Sequence, residues 1–135
     1  MKISDIMTAE PQAAQAGDSL QAVAAQMQQG DFGSMPVLDG GRLAGVVTDR
    51  DIAVRGVAQG LAASEPVSRV MTADPVCVSS DCDLQEAAQL MQERQIRRLY
   101  VTEGDALVGV AALADVVGAA GDRLSGETIE KISQE

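Results

Sequence analysis

The sequence predicts a mixed α/β (α+β) fold in which two βαββα repeats pack as a pseudo-two-fold pair. The first observation is an internal repeat, because the stretch 7–11 (MTAEP) returns 64 positions later as 71–75 (MTADP). The second is periodicity, since apolar residues and turn residues divide each copy into strand, helix, hairpin and helix. The third is length: 135 residues fit one domain that buries roughly 70% of the surface of the extended chain.

The internal repeat keeps its offset of 64 without a gap. The matched pairs are Leu20 with Leu84, Met27 with Met91, Val37 with Val101, Leu43 with Leu107, Gly45 with Gly109 and Asp51 with Asp115. The predicted boundaries are 1–59 for the first repeat, 60–66 for a linker, 67–120 for the second repeat and 121–135 for a tail. One repeat cannot cover both faces of a three-stranded sheet, so we expect the two copies to pack together.

Each repeat begins with a short predicted helix whose apolar face is Ile3, Ile6 and Met7 in the first copy. A brief strand follows, predicted over 76–78 in the second copy. The main helix then begins after Ser19 or Asp83 and ends near position 29 or 93. In the second copy, Asp83 and Glu86 have the spacing of a capping box.

The rest of each repeat is a hairpin and a final helix. The predicted buried face of the main helix is Leu20, Val23, Ala24 and Met27. Strands are predicted over 35–38 and 43–47, around the turn 39–41 (DGG), whose glycines supply the positive φ of a tight hairpin. The final helices are predicted over 48–59 and 112–120. In the tail, Leu124, Ile129 and Ile132 favour a short amphipathic helix.

Composition excludes several function classes. The formal net charge of −10 would repel a phosphate backbone, so nucleic acid and anionic membranes are not expected partners. Phe32 and Tyr100 are the only aromatic residues, which disfavours a stacking surface for single strands. No leader and no stretch able to span a bilayer stands out, and we expect a cytoplasmic protein.

The sequence gives little support to catalysis or metal binding. The chain has no His, and it has no nucleophile elbow, phosphate loop or metal-binding cluster. Cys77 and Cys82 have neither redox nor zinc-site spacing, which favours reduced thiols. Asp49 is expected to face water. We therefore predict that the chain is not an enzyme and requires no cofactor.

These motifs resemble those of a tandem pair of CBS domains, the cystathionine-β-synthase-type regulatory repeats, in their stand-alone bacterial form. The resemblance covers about residues 1–120. It rests on three motifs: the Met-Thr pair followed by a Pro at 7–11 and 71–75, the stretch 35–39 (MPVLD) and the stretch 45–51 (GVVTDRD). It implies a regulatory module that binds an adenosine nucleotide such as AMP, ADP or ATP. The alternative is a structural interaction module with a vestigial pocket.

Thr48 and Asp51 admit two compatible interpretations. In the first interpretation they form a capping box, because a Thr is followed three residues later by an acidic residue, and such a box needs no ligand. The resemblance instead implies that Asp51 binds a ribose and that Thr48 lies near a phosphate, at a helix start that favours anions. The second repeat has Ala112 in place of Thr48 yet keeps Asp115, which favours the functional interpretation.

Arg97 and Arg98 begin a predicted strand, where paired charges commonly project into solvent. Because neighbouring strand residues face opposite ways, one of the two lies on the side of a ligand. The resemblance implies that they reach phosphates above Asp51, with Arg50 as a further candidate. The ligand-binding residues predicted in this way are Thr8, Ala13, Phe32, Thr48, Arg50, Asp51, Arg97 and Arg98.

A second, weaker pocket is predicted from Thr72, Cys77, Ile96 and Asp115. It lacks arginines from the first copy, since Gly33 and Ser34 stand at the positions of Arg97 and Arg98. Cys77, which matches Ala13, is expected to be a small buried hydrophobe. The resemblance also implies a homodimer, of head-to-head or head-to-tail form, and an effector protein that the sequence does not identify.

Overall fold

The computed structural model describes residues 1–121, and the predicted tail helix lies outside them. The mixed α+β fold class is confirmed. The elements are β1 (Thr8–Ala9), β2 (Ala14–Gln15), α1 (Leu20–Gly30), β3 (Ser34–Asp39), β4 (Arg42–Thr48), α2 (Asp49–Asp51), β5 (Thr72–Ala73), β6 (Cys77–Ser79), α3 (Leu84–Arg94), β7 (Arg98–Glu103), β8 (Ala106–Ala112) and α4 (Leu113–Ala120). No helix among these residues is long and apolar enough to cross a membrane.

Two compact units make up the chain. The first-repeat unit is Gln12–Pro75, and the second-repeat unit joins Met1–Pro11 to the segment that begins at Val76. The units are therefore offset from the sequence repeats. Each leading segment, with its short 3-10 turn, packs on the core of the other repeat.

Equivalent hydrogen bonds fix the two leading segments. The Ile3 amide donates to the Cys82 carbonyl at 2.8 Å, and the Val67 amide donates to the Asp18 carbonyl at 2.7 Å. Ile3 and Val67 are fully buried, each in the core of the unit that it joins. The chain crosses between units directly after Pro11 and Pro75. The residues before these prolines, Glu10 and Asp74, have φ values of 50° and 55°.

Each unit holds four strands in the same arrangement. In the first-repeat unit, β2 pairs parallel with β3, β3 antiparallel with β4, and β4 antiparallel with β5. In the second-repeat unit, β6, β7, β8 and β1 repeat this order. The leading segment thus adds an edge strand that the sequence did not predict.

Glycine permits the edge strand to lie close to its neighbour. A Cβ on Gly45 would lie 2.7 Å from Met71 Sδ and 2.7 Å from the Thr72 carbonyl oxygen. A Cβ on Gly109 would meet Met7 and would lie 3.1 Å from the carbonyl oxygen of the residue after it. Both glycines are therefore required by contacts with a Met-Thr pair from the other sequence repeat.

Several local predictions need correction. The strand predicted over 76–78 lies at Cys77–Ser79. Asp83 occupies the N-cap of α3 but makes no capping bond with its side chain, whose Oδ1 lies 4.0 Å from the Met1 ammonium. Ala24 is exposed instead of buried, because Leu20, Val23 and Met27 alone face the core from α1. The predicted helix start after Ser19 is confirmed, and the Ser19 hydroxyl also accepts the Ala22 amide at 3.1 Å.

The helix predicted over 48–59 is one helical run with a changing pitch. Three α-helical residues, Asp49–Asp51, lead into a π-helical turn at Ile52–Gly56 and a 3-10 turn at Val57–Gln59. Arg55 in the π turn donates to the Met71 carbonyl at 3.4 Å. Its counterpart α4 is regular over Leu113–Ala120.

Candidate functional site

Thr48 and Asp51 form a reciprocal pair where β4 passes into the final helical run. The Asp51 amide donates to Thr48 Oγ1 at 3.0 Å, and the Thr48 amide donates to Asp51 Oδ2 at 2.9 Å. Both residues are half-buried. The predicted capping box is therefore formed, and it holds a carboxylate and a hydroxyl side by side without any ligand.

The surrounding backbone fixes the direction of this turn. Thr48 pairs with Ser34 across the hairpin, and the Asp49 amide donates to the Gly33 carbonyl at 2.9 Å. Asp49 is exposed, as expected, and so is Arg50. The strand register therefore sets the turn, while the two reciprocal bonds set its side chains.

The other first-repeat candidates lie apart in the sequence but in the same unit. Ala13 precedes β2 and Phe32 follows α1, and both are half-buried. The Phe32 ring lies against Gly30, where any side chain would collide with it. Phe32 packs at the edge of the hydrophobic core, which agrees with a structural role for its ring.

The predicted first pocket draws on both compact units. Ala13, Phe32, Thr48, Arg50 and Asp51 belong to the first-repeat unit, whereas Thr8, Arg97 and Arg98 belong to the second-repeat unit. Each unit thus brings together only part of the predicted set. The pocket as a whole stays a prediction.

Thr72, assigned from the sequence to the second pocket, lies in the first-repeat unit with Asp51. It pairs with Val46 on β4, while Thr8 pairs with Val110 on β8, and both threonines are exposed. Sequence reasoning missed this exchange because a repeat alignment matches each threonine with its own repeat. The prolines at the two crossing points, Pro11 and Pro75, were the available signal in the sequence.

The second-repeat turn carries fewer polar groups. Ala112 occupies the N-cap of α4 without a capping bond from its side chain, as predicted, and Asp115 is exposed. Ile96 is half-buried, like Phe32, and its amide donates to the Met91 carbonyl. Arg97 and Arg98 are exposed at the start of β7. The turn at Ala112–Asp115 therefore follows the same backbone path as the turn at Thr48–Asp51, but it lacks the two reciprocal hydrogen bonds.

The thiols differ from the prediction. Cys77 is exposed on β6, so the expectation of a buried hydrophobe is wrong. It pairs with Tyr100 on β7. Cys82 is half-buried, and burial, together with the Glu86 carboxylate, raises the pKa of its thiol.

An acidic groove of about 380 Å³ lies on the first-repeat unit. Helix α1 contributes Ala24, Met27 and Gln28 to its lining. Asp31 and Phe32 follow from the turn after that helix, and Asp49 closes the groove from the start of the final helical run. Asp31 and Asp49 are exposed, whereas Met27 is only 5% exposed. The groove therefore combines an apolar floor with an acidic rim, which the sequence analysis did not foresee.

Comparison with known proteins identifies the repeats. The model of the CBS domain matches residues 3–56 and 67–122. The CBS domain-containing protein YhcV of Bacillus subtilis is 37% identical over 134 residues, covering 98% of this chain and 96% of that protein. Hypoxic response protein 1 of Mycobacterium tuberculosis is 34% identical over 114 residues, covering 83% of this chain and 80% of that protein.

Solved structures agree with this assignment. Hypoxic Response Protein I with two coordinated zinc ions superposes with a TM-score of 0.78 at 30% identity, covering 88% of this chain and 98% of that chain. CBSX2 in complex with AMP superposes with a TM-score of 0.76 at 25% identity, covering 90% and 96%. Among residues 1–121 of the present chain, no group of three or more His, Cys, Asp or Glu side chains could hold a metal ion. The two matched repeats and these relatives together show that the chain belongs to the CBS domain family.

Proposed function

We propose that this chain is a non-catalytic regulatory module that senses an adenosine nucleotide, with Asp51 as the ribose-binding residue. The observation that carries the proposal is the reciprocal pair of Thr48 and Asp51 in the first-repeat unit. Membership of the CBS family and a similar fold solved with AMP support it. AMP, ADP and ATP are the ligands to test first.

The Asp51 carboxylate retains capacity for a ribose. A carboxylate offers about four lone-pair positions on its two oxygens. The Thr48 amide uses one of them on Oδ2. Two vicinal ribose hydroxyls can therefore donate to Asp51 while the turn keeps its capping bond.

Thr48 retains a donor for the same ligand. Its Oγ1 accepts the Asp51 amide, which leaves the hydroxyl proton free to be donated elsewhere. A phosphate oxygen is a strong acceptor for such a proton. Exposed Arg50 lies two residues further along and can add positive charge. We retain Arg97 and Arg98 as the predicted phosphate ligands from the other repeat.

A structural interaction module is the second candidate. The capping bonds satisfy Thr48 and Asp51 without a ligand, and the same helical run exposes two large apolar side chains. Val54 is 43% exposed and Val57 is 69% exposed. We propose that such surfaces take part in a homodimer, since two-fold pairs are the commonest closed assemblies. A strictly monomeric mass by light scattering at micromolar concentration would contradict the homodimer.

Thermal unfolding with AMP, ADP and ATP separates the two candidates. A ligand that binds only the native state adds about 2.7 kcal/mol of stability at a hundredfold excess over its dissociation constant. We expect Asp51→Ala to weaken the binding of such a nucleotide by about 1.5–3 kcal/mol, because hydrogen bonds to a charged group are lost. Asp115→Ala is the matched comparison and should reduce the shift far less, because Asp115 belongs to the predicted weaker pocket.

Two further outcomes complete this test. A 2′,3′-dideoxy nucleotide should lose little additional affinity in Asp51→Ala, since the hydroxyls no longer have their acceptor. If no nucleotide raises the unfolding temperature, the interaction module is the better description. If Asp51→Ala binds as tightly as the parent, Asp51 is only a helix cap.

A further inference from the structure

Arg55 joins the final helical run of the first-repeat unit to an edge strand of the same unit. Its Nη1 donates to the carbonyl oxygen of Met71 at 3.4 Å, directly before β5 begins at Thr72. The run itself begins at the capped turn, Thr48–Asp51. One side chain therefore links the helical segment that carries the proposed ribose-binding residue to a neighbouring strand.

Strand register closes this link into a ring. β5 pairs antiparallel with β4, and Thr72 lies opposite Val46, which is two residues before Thr48. Residues opposite one another in an antiparallel pair share a face of the sheet, and so do residues two apart along one strand. Thr72, Val46 and Thr48 therefore share a face, whereas Val47 is fully buried in the core. The ring runs from β4 through the capped turn and the helical run to Arg55, and it returns to β4 through β5.

The π-helical turn holds the part of the run that carries Arg55. Its first residue, Ile52, belongs to the hydrophobic core. Its last residue, Gly56, lies so close to α1 that a Cβ there would come within 3.1 Å of Leu20 Cδ1. Arg55 therefore projects to the surface from a turn that is packed against the unit at both ends. Such turns are often found at functional sites.

The second-repeat unit has neither the π-helical turn nor the arginine. Ala119 stands at the position of Arg55, and α4 is a regular helix over Leu113–Ala120. Its turn also begins at Ala112, which makes no capping bond with its side chain. The link between the helical run and the edge strand therefore accompanies the turn in which reciprocal bonds hold the carboxylate of Asp51.

We propose that Arg55 is a positioning residue for the nucleotide site at Asp51. The inference rests on the proposed function and deepens it, because it identifies what holds the strand beside the site in place. β5 has only two residues, Thr72 and Ala73, and both are exposed. A short exposed strand opens at little cost in free energy. The hydrogen bond from Arg55 fastens the start of this strand to the helical run, and so it fixes the position of Thr72 relative to the capped turn.

Titration calorimetry separates positioning from direct contact with the ligand. We expect Arg55→Ala to weaken the binding of adenosine and of ADP by the same factor, about three- to tenfold, because the ligand must then order the strand itself. A direct contact with the phosphates would weaken ADP alone. Arg55→Lys keeps a donor and should recover most of the affinity. If Arg55→Ala fails to fold by circular dichroism, Arg55→Gln replaces it, with a smaller loss expected.

Arg69→Ala is the matched control. Arg69 lies in the same segment as Met71 and forms an ion pair with Glu65 at 3.1 Å. Its replacement removes the same charge and one ion pair but leaves the bond of Arg55 in place. Both affinities should therefore stay within about twofold of the parent. An equal loss in Arg69→Ala and Arg55→Ala would overturn a specific role for Arg55.

Amide hydrogen exchange without nucleotide tests the link itself. We expect Arg55→Ala to speed exchange over residues 71–73 by about threefold or more, because β5 then opens more often. Exchange over Thr8–Ala9 is the internal control, since the equivalent edge strand β1 belongs to the unit that has Ala119 in place of Arg55. Unchanged exchange over residues 71–73 would overturn the link.

The outcomes separate this inference from the proposed function. If no nucleotide binds the parent chain, the proposed function fails and the positioning role fails with it, while hydrogen exchange still decides whether the link exists. If nucleotides bind the parent and Arg55→Ala equally well, the positioning role is wrong and the sensing function stands. A loss of affinity for ADP alone overturns positioning and assigns Arg55 to the phosphates. Equal losses for both ligands, recovered by Arg55→Lys, support the inference.

Discussion

The turn at Thr48–Asp51 and the turn at Ala112–Asp115 share a backbone but differ in chemistry. Ser34 pairs with Thr48 as Arg98 pairs with Ala112, and the amide after each N-cap donates to an equivalent carbonyl at 2.9 and 2.8 Å. Only the first turn holds a half-buried carboxylate bonded to a hydroxyl-bearing neighbour. Strand register therefore sets the path of both turns, while one side chain decides whether the turn presents a preorganised site.

The largest expected effect tests whether the two turns differ in ligand binding. We expect titration calorimetry with ADP to give one strong site per chain. Replacing Arg97 and Arg98 together with Ala should lower ADP affinity by about 3 kcal/mol or more, because each lost charge-assisted bond contributes about 1.5–3 kcal/mol. Adenosine, which carries no phosphate, should be affected less.

Two results would break this comparison. Two equal strong sites per chain would mean that the bare turn at Ala112–Asp115 binds as well as the capped one. A double variant that binds ADP normally would remove Arg97 and Arg98 from the pocket. Arg42→Ala, on the hairpin of the first-repeat unit, serves as a control for the loss of a cation elsewhere.

A smaller effect tests a feature that the two units share. Gly45→Ala and Gly109→Ala should each destabilise the protein by about 1–3 kcal/mol, because the new methyl group would collide with the edge strand from the other repeat. Urea unfolding measures the change. Gly17→Ala is the matched control, since a Cβ there meets nothing within 4 Å. A stability change no larger than that of the control would show that the edge strands adjust freely.

The smallest expected effect exchanges the caps. Thr48→Ala should cost about 1 kcal/mol of stability, because the Asp51 amide loses its acceptor. Ala112→Thr should add a similar amount, if the new hydroxyl accepts the Asp115 amide as Thr48 accepts that of Asp51. Chemical denaturation of both variants gives the comparison. Equal stabilities for Thr48→Ala and the parent would mean that the cap contributes nothing to folding.

Local structure was largely predictable because its signals are local. The main helices, both hairpins and the reciprocal pair at Thr48 and Asp51 follow from periodicity, turn glycines and a three-residue spacing. The errors concern single side chains whose neighbours come partly from elsewhere in the chain. Asp83 lies near the Met1 ammonium without capping its helix, and Ala24 borders the acidic groove although its spacing suits the core.

The sequence by itself determined the two repeats, the order of their elements and the difference between the capped and uncapped turns. Only the tertiary structure decided which core receives each leading segment. The segments that begin at Ile3 and Val67 present the same apolar spacing, so either could pack on either repeat as far as the pattern shows. Periodicity identifies the apolar face of a segment. The core against which that face packs depends on hydrogen bonds and close contacts that form only when the whole unit is assembled.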